Sequence, residues 1–382
     1  MNAIVLGNGG SGRAAAALLR GEGASVRVLE GKEPWPSGAW ELCVASPGIP
    51  LDHPWQIAAR AAGVPVVSEL QLGVERFRAA GGRLLAVTGS KGKSSVVKLV
   101  ADAVGGVPCG NYGTPVCDVA MRRGTPWAVV EVSSFQMETT SLAPGTFEAA
   151  AVLNLQEDHL DRHGSVEAYH ALKMHLLDFA KVRISMAEAD GASGDAALLA
   201  GSYFDNSVLR VNGLCAVRLM RAAGLSDDAM RAAFLRFEPL PHRMQTVGVF
   251  DGVAWIDDSK ATSLAALAAG VTMAAARFPA TAANIHLIAG GLPKGDAPEM
   301  VADGLAGRVK AAYLVGTNAH ALASAWSRVV PCEICGTVER AAQTAAKAAV
   351  PGDCILLSPG AASFDQFRSY GERGDCFAAC AR

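Results

Sequence analysis

One stretch constrains the chain more than any other: LLAVTGSKGKSSVVKLV, from Leu84 to Val100. Its apolar opening predicts a buried strand over Leu84–Val87, its glycines break the chain, and a helix is expected to begin at Lys93. A strand, a glycine loop and a helix start make an anion site, because backbone N–H groups and the positive end of the helix dipole converge there. Lys93 adds a full charge. Gly89 and Gly92 let the backbone approach phosphate oxygens, and the Ser94 hydroxyl is placed to ligate Mg²⁺. Only Ser90 and Lys91 separate the two glycines, where the usual phosphate loop has four residues. Plain structural punctuation is the bland alternative. The GKS ending after a strand favours phosphate, so Gly89, Ser90, Lys91, Gly92, Lys93, Ser94 and Ser95 are the candidate ATP grip.

A chain of 382 residues exceeds one core, so two or three domains are expected. With 51% hydrophobic residues it has ample core material, and a net charge of −2 offers no electrostatic argument for nucleic acid or an anionic membrane. The N-terminus lacks a basic region ahead of an apolar core, and Ala261 to Ala276 is too short and too rich in Gly, Ser and Thr to span a bilayer. Nine cysteines, an odd number without a secretion signal, indicate reduced thiols and the cytoplasm. Cys332 and Cys335 form a CxxC that no second pair completes, which reads as strand thiols beside a turn.

The first block alternates strand and helix: a strand at Asn2–Leu6, the loop GNGGSG, a helix over Arg13–Arg20 and a strand over Ser25–Glu30. Gly7, Gly9 and Gly12 satisfy GxGxxG, and Glu30 stands where a ribose-binding acid would. That suggests NAD, but the same physics serves the diphosphate of a UDP-sugar. Cys43–Ser46 is a short strand entering the SPGIP turn, and a helix ends at Gly81 and Gly82, the first domain boundary.

The central block holds most of the chemistry. GNYGTP, with Asn111, is a glycine–proline turn. Trp127–Val132 is an apolar strand carrying one acid, Glu131, and such a carboxylate is costly unless paired or metal-bound. After an ATP loop it reads as a Mg²⁺ ligand. A second apolar strand, Ala151–Leu155, leads into Glu157, Asp158, His159 and Asp161, which suit Mg²⁺–phosphate chemistry or simply cap a helix. A further helix starts at Val166 and carries YHALK; residue types alone place its Lys173 on the surface. From Lys181 to Arg210 a GASGD-rich stretch is short, and the central sheet is expected to lack edge strands. FEPLPHRMQ, Phe237 to Gln245, is a proline-punctuated linker. The last block is expected to place strands at Val253–Ile256, Ile285–Ile288, Ala311–Val315 and Cys354–Leu357. DDSKATS, GGLPKGD and SPGAASFDQF follow strand ends, where open α/β sheets build their sites, and Ser363 and Phe364 are expected at a helix start.

The shortened loop with Thr88 before Gly89 resembles that of the Mur ligases and folylpolyglutamate synthases. EVSSFQ, NLQEDHLDRH and LPHR extend the resemblance to the Mur ligase family over the whole chain, closest to its D-glutamate-adding members. The resemblance implies three α/β domains: a Rossmann-like domain over 1–82, a P-loop ATPase-like parallel sheet over 83–239 and a Rossmann-like domain over 240–382. It implies a monomer that joins D-glutamate to UDP-N-acetylmuramoyl-L-alanine through an acyl phosphate, using ATP and one or two Mg²⁺ ions. The UDP substrate would meet Gly10, Ser11, Glu30, Ser46, Asn111 and Ser133. ATP would meet Asn212, Arg243 and Asp258 beside the phosphate loop. Lys260, Thr262, Lys294, Ser363 and Phe364 would hold the amino acid. Lys93, Glu131, His159 and Lys173 would be catalytic, with Ser94, Glu131, His159 and a CO₂-carbamylated Lys173 on the metal. The resemblance weakens at two places: the N-terminal block is short, and Val211 and Cys215 replace the histidine and second asparagine around Asn212. A nicotinamide oxidoreductase and a catalytically dead module of the same fold are the competing classes; the first leaves GSKGKSS, EVSSFQ and EDHLDRH without a purpose.

Overall fold

The computed structural model describes residues 1–122, 124–186 and 194–381. Its strands form three sheets. In the first, β1 (Asn2–Leu6), β2 (Ser25–Leu29), β3 (Leu42–Ala45) and β4 (Val66–Ser68) lie in the order β2-β1-β3-β4, all parallel. The second comprises β5 (Arg83–Thr88), β6 (Val107–Gly110), β7 (Trp127–Glu131), β8 (Phe147–Val152) and β9 (Ala180–Ser185), in the order β6-β7-β5-β8-β9 and again parallel. The third has β10 (Gln245–Phe250), β11 (Val253–Asp257), β12 (Ile285–Gly290), β13 (Val309–Val315), β14 (Cys332–Gly336) and β15 (Cys354–Leu357), ordered β10-β11-β15-β12-β13-β14. Only its first pair, β10 with β11, is antiparallel. Two compact units emerge from the contacts, Met1–Asp205 with Leu209–Phe237, and Asn206–Val208 with Glu238–Arg382.

Parallel sheets need cover on both faces, which is why their strands are apolar without alternation. All five residues of β7 and all six of β12 are buried. The central sheet is covered in part by the Lys93–Val104 helix, which turns Val96, Val97, Leu99, Val100 and Ala101 inward. That helix starts on Gly92, whose φ of +80° only glycine adopts cheaply, and stops on Gly105 in the left-handed conformation. In the first and second sheets the strand order reverses beside β1 and β5, the first strand of each. Both glycine loops therefore open at a reversal point, where an open α/β sheet leaves a crevice beyond its strand ends.

Several boundaries differ from the sequence expectation. The first helix begins at Gly10 rather than Arg13, so Gly10, Ser11 and Gly12 form its first turn. The second apolar strand of the central block runs Phe147–Val152, and Asn154 and Leu155 lie in the loop beyond it. The Lys181–Arg210 stretch, expected to leave the central sheet without edge strands, begins inside edge strand β9; its residues 187–193 lie outside the described ones. Ser363 and Phe364 lie in an irregular turn rather than at a helix start, since the last helix begins at Tyr370. β10, which the linker expectation overran at Gln245, and β14, which carries Cys332 and Cys335, complete the third sheet. No disulfide joins any of the nine cysteines. Among the described residues no helix is long and apolar enough to cross a membrane.

Candidate active site

The glycine loop is held by the loop that follows β8. Ser90 N–H donates to the Asn154 carbonyl (3.0 Å) and Lys91 N–H to Asn154 Oδ1 (2.8 Å), while Asn154 Nδ2 returns a bond to the Lys91 carbonyl (2.8 Å). Asn154 Nδ2 also reaches Asn212 Oδ1 at 3.3 Å. Asn212 itself presses on the loop, since a Cβ on Gly92 would fall 2.1 Å from its Nδ2. The Ser90 hydroxyl accepts from Gln156 N–H (2.9 Å) and lies 3.2 Å from the Tyr169 hydroxyl. Ser95 is buried and Ser94 half-buried in the first helical turn. Lys93 folds over its own loop, donating from Nζ to the carbonyls of Gly89 (2.9 Å) and Ser90 (3.1 Å). Asn154 and Tyr169 were passed over in the sequence; the asparagine opening NLQEDH was the available signal.

Glu131 ends β7, in register with Val87 of β5, and is 2% exposed. Oε1 accepts from Asn111 Nδ2 at 2.7 Å, so the side chain expected to face the substrate is bound to the acid here. Oε2 is buried without a hydrogen-bond partner. A buried carboxylate oxygen left this way is expensive and invites a cation. Lys173, in the last turn of the Val166–Met174 helix, is also 2% exposed, against the surface placement that residue types alone suggested. Its Nζ donates to the same Gly89 carbonyl at 3.0 Å and sits 4.6 Å from the centroid of the Tyr169 ring. Burial, with the Lys93 charge adding to it, pushes its amine down to about 7, against smaller opposing pulls from Asp158 and Glu131. Near neutrality this amine has a large unprotonated fraction, the form that acts as a nucleophile.

His159 occupies a left-handed turn (φ 54°), half-exposed, with its ring 4.9 Å from that of Phe135 and Nε2 3.7 Å from Asp158 Oδ2. Among the described residues no three His, Cys, Asp or Glu side chains are gathered as a ready metal cage. Hard-cation binding here would rest on Glu131 with oxygens of other kinds, such as a hydroxyl, a phosphate or a carbamate. The orphaned Oε2 and the low-pKa Lys173, whose amine feels the Glu131 charge, fit such a donor set. Ser133 caps the short Ser134–Met137 helix in a reciprocal exchange with Gln136, so its hydroxyl is engaged.

In the first sheet Gly12 packs against the loop: a Cβ there would lie 1.9 Å from the Gly7 carbonyl oxygen. The Ser46 hydroxyl also points to that oxygen at 3.4 Å, and Glu30 accepts from Asn8 Nδ2 at 2.8 Å. Gly10 and Ser11 lie at the helix start.

In the second compact unit the loops after β11, β12 and β15 emerge from neighbouring strands. Lys294 Nζ donates to Thr262 Oγ1 at 3.2 Å, and Leu292 and Ala362 exchange two backbone bonds of 2.9 Å, joining two of these loops. Lys260 lies 3.8 Å from the Tyr370 ring centroid; burial, Arg243 and Lys294 lower the pKa of its amine. Asp258 accepts from Ser358 Oγ (2.9 Å) and Met244 N–H (3.2 Å), yet burial pushes it up to about 7. Ser363 is buried and Phe364 is 70% exposed. Arg373, unremarked in the sequence, is 1% exposed and donates to Ser259 Oγ (3.0 Å), Ser259 O (2.8 Å) and Ala361 O (3.1 Å), tying the β11 and β15 loops together. The concentration of positive charge from Arg243, Lys260 and Lys294 suits a ligand with more than one carboxylate.

The model of the Mur ligase middle domain matches residues 87–200, and that of the Mur ligase glutamate ligase domain matches residues 242–360. The UDP-N-acetylmuramoylalanine–D-glutamate ligase of Frankia casuarinae is 37% identical, covering 99% of this chain and 93% of that protein. Those of Acidobacterium capsulatum and Chlamydia abortus are each 33% identical, covering 98% of this chain and 94% and 96% of theirs. Among solved structures, the MurF ligase of Thermotoga maritima in complex with ADP has a TM-score of 0.59 at 15% identity, covering 90% of this chain and 89% of that one. The UDP-N-acetylmuramate–alanine ligase of Thermotoga maritima has 0.56 at 16%, covering 94% and 96%. At these identities the structures share the fold.

The lowered Lys173 pKa has a thermodynamic signature. Below pH about 7 the folded and unfolded chains both carry the proton, and burying the charge costs its full penalty. Between about 7 and the ordinary 10.5 only the unfolded chain holds the proton, so stability rises with pH, and above that window the penalty is gone. In bicarbonate-free buffer, wild type should gain on Lys173→Met by on the order of a few kcal/mol as pH climbs from 7 to 10. Urea denaturation of both proteins across that range checks it; a constant difference would place the Lys173 pKa near its ordinary value.

Proposed function

The chain belongs to the Mur ligase family, and on that premise we propose that it is the ATP-dependent ligase that joins D-glutamate to UDP-N-acetylmuramoyl-L-alanine. The observation that carries the reading is the pairing of the Lys93 loop with the orphaned Glu131 oxygen and the near-neutral Lys173 in one buried cluster. The relatives with full-length similarity, whose names specify D-glutamate, support the choice of amino acid.

A carboxylate is a poor acyl donor, so the substrate carboxylate first attacks the γ-phosphorus of ATP. A C–O–P bond forms as the bond to the ADP oxygen breaks. Lys93 and the amides of Gly89 to Ser95 offset the charge that develops. The neutral amine of D-glutamate then attacks the acyl carbon, phosphate leaves with the bonding electrons, and the amide nitrogen sheds a proton. Mg²⁺, held by Ser94, Glu131, His159 and Lys173 as a carbamate, would supply charge neutralisation on the phosphates. Asn212, Arg243 and Asp258 complete the ATP grip in this proposal. Gly10, Ser11, Glu30, Ser46, Asn111 and Ser133 serve the UDP substrate, and Lys260, Thr262, Lys294, Ser363 and Phe364 the glutamate. Residues 1–82, 83–239 and 240–382 are the corresponding functional blocks.

Phosphate release from ATP should require UDP-N-acetylmuramoyl-L-alanine and D-glutamate together, with L-glutamate, L-lysine and diaminopimelate inert; efficient use of any of the three would overturn the specificity. Lys93→Ala should abolish turnover while leaving the melting temperature near wild type, because a half-buried lysine at the first position of a helix contributes little to stability and alanine suits that position.

Lys173→Ala should be inactive and regain part of its activity with added short-chain carboxylic acids, which replace the carbamate oxygens. A fully active alanine variant would remove the carbamate from the mechanism.

Lys294→Ala should raise the KM for D-glutamate by about tenfold or more, the worth of a hydrogen bond to a charged group, with the KM for ATP unchanged. Unaltered glutamate kinetics in this variant would move the amino-acid site elsewhere.

A further inference from the structure

Arg162 stands outside every role assigned above. It lies in the one-turn Leu160–His163 helix that follows His159. Its guanidinium grips Glu138 with both arms, Nε to Oε1 at 2.9 Å and Nη2 to Oε2 at 2.6 Å. Nη2 also donates to the carbonyls of Pro47 (3.3 Å) and Ile49 (3.4 Å), in the turn that follows β3 and opens with Ser46. Only 17% of the Arg162 side chain and 7% of that of Glu138 are exposed, so the pair is shielded from solvent. Arg162 Cζ lies 5.0 Å from the centroid of the Phe135 ring, which also neighbours the rings of His159 at 4.9 Å and His163 at 5.5 Å. His163 closes the network, with Nδ1 3.5 Å from Glu138 Oε1 and Nε2 3.0 Å from Ser134 Oγ.

One planar cation thus fastens three segments: the Ser46–Ile49 turn, the Ser134–Met137 helix after the Glu131 strand, and the turn that presents His159. We propose that Arg162 is a positioning residue that sets the Ser46–Ile49 turn at a fixed distance from the His159 turn, and so couples the grip on the nucleotide end of the UDP substrate to the placement of its reacting carboxylate. The inference rests on the proposed function, since it takes the first turn as part of a nucleotide grip. The chemistry explains the choice of arginine. A rigid fork can hold a carboxylate bidentately and still aim hydrogens at two carbonyls, which an ammonium on a flexible stem cannot do.

Arg162→Ala would strand the Glu138 carboxylate and can fail to fold, so the test uses Arg162→Lys, which keeps the charge, and Arg162→Ala/Glu138→Ala, which removes both partners. The expected result in both is a KM for UDP-N-acetylmuramoyl-L-alanine raised about tenfold or more. KM values for ATP and D-glutamate should stay within about twofold, kcat should fall about tenfold or more as the carboxylate loses its placement, and Arg162→Lys should keep a near-wild-type melting temperature. A purely structural role would lower the melting temperature and leave this split absent; unchanged UDP-substrate KM in either folded variant, or an equal rise for all three substrates, overturns the proposal. Calorimetric titration with UDP-N-acetylmuramoyl-L-alanine separates the two readings. If wild type binds it without turnover, the ligase reading fails and the ratio of dissociation constants decides the role of Arg162. If wild type does not bind it, both fall.

Discussion

Two lysine ammonium groups converge on one carbonyl oxygen, that of Gly89, from opposite parts of the sequence. That shared acceptor is the constraint around which the central sheet is arranged. Lys93 reaches it by folding back over its own loop; Lys173 reaches it from a helix eighty residues further on. Burial disfavours a charged amine at this oxygen, and the like charge of the second lysine adds to the cost. Lys173, more deeply buried, is the one whose amine falls to about 7. Glu131, with one oxygen bonded to Asn111 and the other orphaned, supplies the negative counterpart on the adjacent strand.

The sequence disclosed what local chemistry can encode. The strand at Leu84, the helix at Lys93 and the lone acid at the end of β7 were all readable, because a glycine break and an apolar run leave few alternatives. Helix starts were less readable where glycine is abundant: GNGGSG looks like loop, yet its second half is helical, because the tight contact of Gly12 with the Gly7 carbonyl draws the helix close to the strand end. The third-sheet edge strand β10 was obscured by its prolines upstream and by its pairing being antiparallel in an otherwise parallel sheet.

The site divided along the same line. Residues in contiguous motifs were legible one by one, whereas their partners were not. Asn154 steadies the phosphate loop, Tyr169 stands between Ser90 and Lys173, and Arg373 braces the loops after β11 and β15; each acts across many positions of sequence. Lys173 is the sharpest case. Residue type alone leaves it outside, and only the packing of its helix against the phosphate loop, on the face it shares with Tyr169, puts it inside. The nine cysteines show the reverse: composition alone suggested thiols, and none of them forms a disulfide in the fold.

Arg373 has one more implication. A guanidinium that spends its hydrogens on Ser259 and on the carbonyl of Ala361 holds main chain and a hydroxyl, not the side chains that would touch a ligand. The loops it braces therefore keep their course whichever residues they display. A scaffold secured through its backbone leaves the displayed positions open to exchange, so a change of preferred amino acid would need only new side chains on an unmoved frame, and selection could explore specificity without first rebuilding the fold.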